Sequence, residues 1–193
     1  MLALKKKDGG NMARKETITK DYLFKTAFEM LREEGIENIT ARKLAAKAGC
    51  STQPIFRLYS NMEELWQELF ENAVNYFEEY YHNAKLYDFT PFVNLGITYI
   101  QFAAEERHLF QILFLANNRY GKSLYEILNG SMGAVGREFA KAQNEGCKNP
   151  GDLFMKMWIF IHGSACMSLT GDYDLGLEET IQLLKSVYKG FVA

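Results

Sequence analysis

Thr52, Gln53 and Pro54, followed by Phe56, Arg57 and Tyr59, are the residues of this chain whose types and spacing suit one particular chemistry, the reading of base pairs. A Gln makes paired hydrogen bonds to adenine, and a Thr bonds a base edge or offers its methyl to thymine. On a helix that begins near Ser51, the first turn presents Thr52, Gln53 and Pro54, and Phe56, Arg57 and Tyr59 follow toward the rim of the groove. Pro54 falls inside the first turn, where its missing N–H would have had no intrahelical acceptor. The competing reading of the same stretch is a helical hairpin buried in a larger core, because a motif is settled only by its structural context.

Two short helices must hold these residues in place. Thr40 is placed to cap the first and Ser51 the second, each accepting from free backbone N–H groups at a helix start. Ala48-Gly49-Cys50 forms the turn, with Gly49 at the position where a positive φ is inexpensive. Ile39 with Leu44, and Cys50 with Ile55, have the spacing of hydrophobic staples, while Ala45 and Ala46 leave room for a close crossing. Behind them, a first helix capped by Thr19 carries Leu23, Ala27, Met30 and Leu31 on one face, widened by Phe24 and Phe28, and stops at Gly35.

From about Thr17 to Leu69 the chain resembles the DNA-binding domain of the TetR family of transcriptional regulators. The resemblance rests on Glu34-Gly35, on Ile39-Thr40-Ala41-Arg42-Lys43-Leu44-Ala45, and on Ala48-Gly49-Cys50-Ser51. It continues through Ile55-Phe56-Arg57-Leu58-Tyr59 and Asn61-Met62-Glu63-Glu64-Leu65, in that order. It implies that Thr40, Arg42, Thr52, Gln53, Phe56 and Tyr59 face phosphates or bases. With Ala41, Ser51, Pro54 and Arg57 they form the expected DNA-binding set. Met62 departs from the family pattern, standing where many members carry a Lys that contacts phosphate.

Composition narrows the alternatives. The 193 residues are 48% hydrophobic and 24% charged, as expected for a soluble globular protein with one or two modest domains. The net charge of −2 hides an asymmetry: residues 1–60 hold 12 Lys and Arg against 7 Asp and Glu, whereas residues 61–193 hold 10 against 17. The basic part is the part with the motif, as phosphate attraction requires. Cys50, Cys147 and Cys166 show no paired spacing, which with the absence of a signal peptide points to a reducing, cytoplasmic compartment. The longest apolar run, Met157 to Ile161, is too short to span a bilayer, so no membrane partner is expected. His82, His108 and His162 lack metal-ligand spacing, and no nucleophile elbow or phosphate loop appears; neither an enzyme nor a cofactor is expected.

The pattern predicts an all-α fold divided into a flexible tail over 1–15, a helix-turn-helix domain over 16–62 and a helical bundle over 63–193. In the tail, Lys5, Lys6, Lys7, Arg14 and Lys15 could brush DNA phosphates, the competing reading being a solvated tail. Asn61 caps a long helix running toward His82, and Thr90-Pro91 starts another that reaches Ala104. A single helix is expected from about Ser123 to Glu145 despite Gly130, Gly133 and Gly136, which point to close packing, the competing reading being a deformable pocket wall. Phe92, Tyr99, Phe102, Phe110, Phe114, Trp158 and His162 are the candidate ligand-binding residues of an aromatic pocket, although the same rings serve equally as core.

The helices over Asp152–Leu169 and from Leu177 onward carry apolar stripes. By the resemblance, Met157, Ile161, Ser164, Ala165, Ile181, Leu184 and Tyr188 form a dimer interface. The expected partners are double-stranded DNA at a palindromic operator, an unidentified small hydrophobic or aromatic effector, and a second copy of the chain. The expected function is a repressor released by that effector, the alternative being a DNA-binding regulator controlled by a protein partner without any small ligand.

Overall fold

The computed structural model describes residues 18–192, which form ten α-helices and, among these residues, no strand. The basic run of the tail and the 1–15 boundary lie outside the described residues.

Helix α1 (Lys20–Glu34) begins where the Thr19 hydroxyl accepts from the Tyr22 N–H at 3.2 Å, and it buries Leu23, Ala27, Met30 and Leu31. It ends at Gly35, whose φ of +85° suits a residue without a Cβ. A 3-10 turn (Ile36–Asn38) leads into α2 (Ala41–Lys47), where Thr40 accepts from the Lys43 N–H at 3.3 Å. Gly49 turns the chain at φ +67°, and the Cys50 N–H returns to the Ala45 carbonyl at 2.9 Å.

Helix α3 (Gln53–Leu58) starts later than the cap pattern predicts. Thr52 already has helical angles, φ −72° and ψ −16°, and makes no side-chain cap bond. Ser51 is therefore out of register to cap, since a capping residue sits in extended backbone next to the first helical residue. Helix α4 (Met62–His82) follows as expected from Asn61, which accepts from the Glu64 N–H at 3.0 Å, while the Glu64 carboxylate reaches back to the Ser60 N–H at 2.7 Å. Its 21 residues extend about 31 Å at 1.5 Å per residue. It packs on both α1 and α5, which makes it the strut between the two parts of the chain.

The remaining helices are α5 (Val93–Glu105), α6 (Arg107–Phe110, continuing as π-helical Gln111–Leu115), α7 (Leu124–Asn129), α8 (Ala134–Asn144), α9 (Pro150–Thr170) and α10 (Leu177–Val192). Helix α5 occupies the centre, packed on α4, α9 and α10, and every residue from Val93 to Ile100 is buried. A helix buried on every side, with Asn94 and Thr98 as its buried polar residues, belongs at the centre. Gly96 sets how closely these helices approach: a Cβ there would lie 2.9 Å from Ile161 Cδ1 and 3.0 Å from Leu184 Cδ1.

Three expectations are corrected. Thr90-Pro91 makes a turn instead of a helix start, because Phe92 is held left-handed at φ +65° with its N–H donating to the buried Glu138 Oε2 at 2.6 Å. The single helix over Ser123–Glu145 is two, α7 and α8, broken by Gly130 at φ +56° and Gly133 at φ +65°, and of the three glycines only Gly136 lies inside a helix. The stripe of Met157, Ile161, Ser164, Ala165, Ile181, Leu184 and Tyr188 is buried within its own chain, so it cannot form the face offered to a second copy. Its apolar side chains cover α5, the most hydrophobic neighbour available to α9 and α10.

Candidate nucleic-acid interface

The local fold of α2 and α3 turns one continuous face outward. Ser51, Gln53 and Arg57 are exposed, Phe56 is 53% exposed, and Thr52 and Pro54 are half-buried. Ile55, on the opposite side of α3, is fully buried against the small core of α1 and α2. Thr40 and Arg42 add an exposed hydroxyl and guanidinium from the start of α2, with Ala41 half-buried between them. The surface beside α3 is concave, lined by Tyr22, Gly49, Ser51, Gln53, Phe56 and Arg57 among others.

Tyr59 does not join this face. It follows α3 in extended backbone, φ −129° and ψ 130°, and is 1% exposed, with the Lys20 ammonium 4.9 Å from the centre of its ring. An aromatic residue at the exit of a six-residue helix is the nearest large side chain able to seal the base of the bundle, and it is spent there.

Charge is distributed to match. Lys20 pairs with Glu68 at 2.7 Å and Lys47 with Glu33 at 2.5 Å, which fastens α1 to α4 and α2 to α1. Among the described residues, Arg42 and Arg57 have no carboxylate partner. Two guanidiniums left without internal partners beside an exposed Gln and Ser provide the donors that phosphate oxygens and base edges accept from.

The face is tied to the rest of the molecule by residues the sequence reading passed over. Trp66 of α4 donates its indole N–H to the Ile39 carbonyl at 3.3 Å, just before α2. Arg32, in the last turn of α1, makes a two-pronged pair with Glu106, its Nε donating at 2.9 Å and its Nη2 also donating to the carboxylate. Glu106 is 9% exposed and accepts in addition from the Tyr76 hydroxyl at 2.8 Å. The Arg32 guanidinium lies 5.0 Å from the centre of the Tyr76 ring, and its hydrogen bond to Glu106 holds its pKa above the ordinary value. His108 closes the contact by donating Nδ1–H to the Arg32 carbonyl at 2.8 Å. In sequence Arg32 reads as a helix-dipole partner and Glu106 as one more surface acid, so nothing signals that the two meet 74 positions apart.

The expected ligand residues do meet, but as a filled core. Phe92, Tyr99, Phe102, Phe110, Phe114 and Trp158 are all at most 9% exposed. Tyr99 lies 4.7 Å from Phe114, 4.8 Å from Trp158 and 5.0 Å from Phe110, centre to centre, in edge-on contacts. Phe92 sits apart, against Phe139 and Phe154. His162 stacks on Trp158 at 5.4 Å, its Nδ1 2.9 Å from the Tyr99 hydroxyl and its Nε2 3.7 Å from Cys166 Sγ. Burial lowers the His162 pKa and raises those of Tyr99 and Cys166, favouring the neutral form of all three. Among the described residues no group of three or more His, Cys, Asp or Glu is placed to hold a metal ion, and no helix is long and apolar enough to cross a membrane.

Comparison with known proteins agrees with this geometry. Residues 23–69 match the family model described as bacterial regulatory proteins, tetR family, a span that includes α2, α3 and the start of α4. No curated protein matches the sequence. Among solved structures, the fold is similar to a protein from Vibrio parahaemolyticus described as a TetR family transcriptional regulator, at 17% identity and a TM-score of 0.62, over 88% of this chain and 96% of that one. A TetR-family regulator from Rhodococcus sp. superimposes with a TM-score of 0.57 at 14% identity, over 90% and 98% of the two chains. A TetR-like regulator from Rhodococcus sp. RHA1 gives 0.58 at 14% identity, over 89% and 94%.

Proposed function

We propose that this chain, whose residues 23–69 match the family model described as bacterial regulatory proteins, tetR family, is a dimeric repressor that reads a near-palindromic operator with α3. The observation that carries the reading is the outward face of α2 and α3, on which Arg42 and Arg57 flank Thr40, Ser51, Gln53 and Phe56 without carboxylate partners among the described residues. In this proposal Gln53 and Thr52 reach base edges, Arg42, Arg57 and Thr40 hold phosphates, and Ala41, Ser51 and Pro54 set how closely the backbone approaches. The domain division proposed is the helix-turn-helix unit over 16–62 and the bundle over 63–193, with α4 beginning at the boundary.

The second copy is proposed to dock on the outer side of α9, where Met155 is 54%, Ile159 66% and Met167 47% exposed, at helical spacing with the exposed Gly163. This is the face opposite the buried stripe. Twofold pairing there would present two α3 helices to successive major-groove faces about 34 Å apart. Release by a small effector is part of the proposal, with coupling of about 1–3 kcal/mol sufficient for roughly 5- to 150-fold weaker operator binding. The tight packing of Tyr99, Phe110, Phe114 and Trp158 favours a second reading, control by a protein partner with no ligand in the aromatic core.

The test is selection of a binding site from a randomised duplex pool, followed by titration of single variants. Gln53→Ala and Arg57→Ala are each expected to weaken binding to the selected site by about 1–3 kcal/mol, with the dimer intact and the affinity falling as salt rises. Wild-type affinity in both variants, or failure of the pool to converge, would remove α3 as the reading helix.

A further inference from the structure

Between the second half of α4 and the end of α5 lies a crevice of about 410 Å³ lined by Tyr76, Glu79, Tyr80, Asn83, Ala84 and Gln101. That volume is within the range of small-molecule sites. It lies outside the filled aromatic core, and none of its walls belongs to the residues expected to bind a ligand. Two tyrosine rings supply its aromatic surface. Both hydroxyls are already committed to carboxylates, Tyr80 donating to Glu105 Oε2 at 2.7 Å and Tyr76 to Glu106 Oε1 at 2.8 Å. With the exposed Glu79 this places three acidic side chains around two rings.

The chain itself shows what such an arrangement binds. The Arg32 guanidinium lies over the Tyr76 ring at 5.0 Å and pairs with Glu106, so an aromatic face and a carboxylate here already hold a flat cation. The basic residues nearest in sequence are turned elsewhere: the Lys85 ammonium lies 5.3 Å from the Tyr87 ring centre, and Arg107 donates to the Leu169 carbonyl. A cation between rings gains from their negative faces as well as from nearby acids.

We propose that this crevice is a binding site for a small, flat organic monocation of the amidinium or guanidinium class, received between Tyr76 and Tyr80 with its charge toward Glu79 and Glu105, and that the bound cation is the effector of the regulator. The effector role rests on the operator-binding reading above; the binding site does not. Tyr76 is the link, because it is both a wall of the crevice and a donor to Glu106. A cation that turns the Tyr76 ring withdraws its hydroxyl from Glu106 and loosens the pair that holds α1, and with it the position of α2 and α3.

The experiment is isothermal titration of the full chain with benzamidinium and, as the uncharged isostere, benzamide. Benzamidinium is expected to saturate one site per chain and to bind at least about tenfold more tightly than benzamide, the margin of a charge-assisted contact. Glu79→Gln, an exposed change that leaves the fold in place, and Tyr80→Leu are each expected to weaken benzamidinium by about fivefold or more. Equal binding of the two probes, or benzamidinium affinity unchanged in Glu79→Gln at unaltered thermal stability, overturns the site. With the selected duplex present, benzamidinium is expected to weaken DNA binding about 5- to 150-fold. Saturable benzamidinium binding with duplex affinity unchanged overturns the effector role and leaves the site. A protein that binds no duplex at all removes the operator reading, while the benzamidinium titration still decides the site.

Discussion

Breaking the pair between Arg32 and Glu106 probes the ionic contact between the last turn of α1 and the start of α6. Arg32→Met keeps most of the side-chain length but leaves Glu106, only 9% exposed, with the Tyr76 hydroxyl as its remaining donor. Removing one partner of a fully buried pair costs about 3–5 kcal/mol. The Arg32 side chain is 41% exposed, so solvent screens part of that, and a loss of about 2 kcal/mol is expected. For a chain of this size this corresponds to a fall in Tm of roughly 4–8 °C. Glu106→Gln should cost less, because the amide still accepts from Arg32, and the double variant should recover about 1 kcal/mol or more relative to the sum of the singles. Urea unfolding followed by Trp66 fluorescence in a Trp158→Phe background places the probe in the DNA-facing unit, since the Trp66 indole is bonded at the entry to α2. A coupling energy below about 0.5 kcal/mol would refute the claim that this pair fastens the DNA-facing unit.

Gly96→Ala is expected to destabilise by about 1–3 kcal/mol despite the better helix propensity of Ala, because the new methyl meets Ile161 and Leu184 at 3.0 Å or less; combining it with Ile161→Val should restore part of the loss, and a rise in Tm for the single variant would show that the centre is looser than described. His162 has a pKa lowered by burial from the usual 6.5, so the unfolded chain takes up a proton that the folded chain refuses. Stability should therefore be complete above about pH 6.5 and fall as the pH drops below it, a slope that His162→Phe removes, as denaturation midpoints at about pH 5 and 7 would reveal. Ile159→Glu, placed on the exposed side of α9, should lower self-association at least about tenfold without lowering monomer stability, measured by sedimentation; unchanged association would move the interface elsewhere.

Local signals in the sequence determined the front of the molecule. Thr19, Thr40 and Asn61 all cap the helices they appear to cap, and Gly35 and Gly49 end helices with positive φ. Each of these is a contact between residues three or four apart, which composition and spacing fix before any tertiary partner arrives. The exposed set on α2 and α3 was legible for the same reason, apart from Tyr59 and the capping role of Ser51. Tyr59 looked like a groove contact because one dimension carries no burial, and the Lys20 side chain that covers it comes from 39 residues away.

Further along, α5 and α9 are apolar over most of their length, and periodicity no longer says which face meets which neighbour. The stripe over Met157, Ile161, Ile181 and Leu184 was a sound apolar face, but whether it covered α5 or a second copy depended on where α5 lay. The aromatic residues were gathered as expected, yet their edge-on packing turned an expected pocket into filled core. Only the tertiary structure brought Arg32 to Glu106 and Tyr76, and opened the crevice beside Tyr80, because these contacts join residues 25 to 74 positions apart that carry no local pattern. What is fixed by neighbours along the chain could be read from the sequence; what is fixed by neighbours across it required the fold.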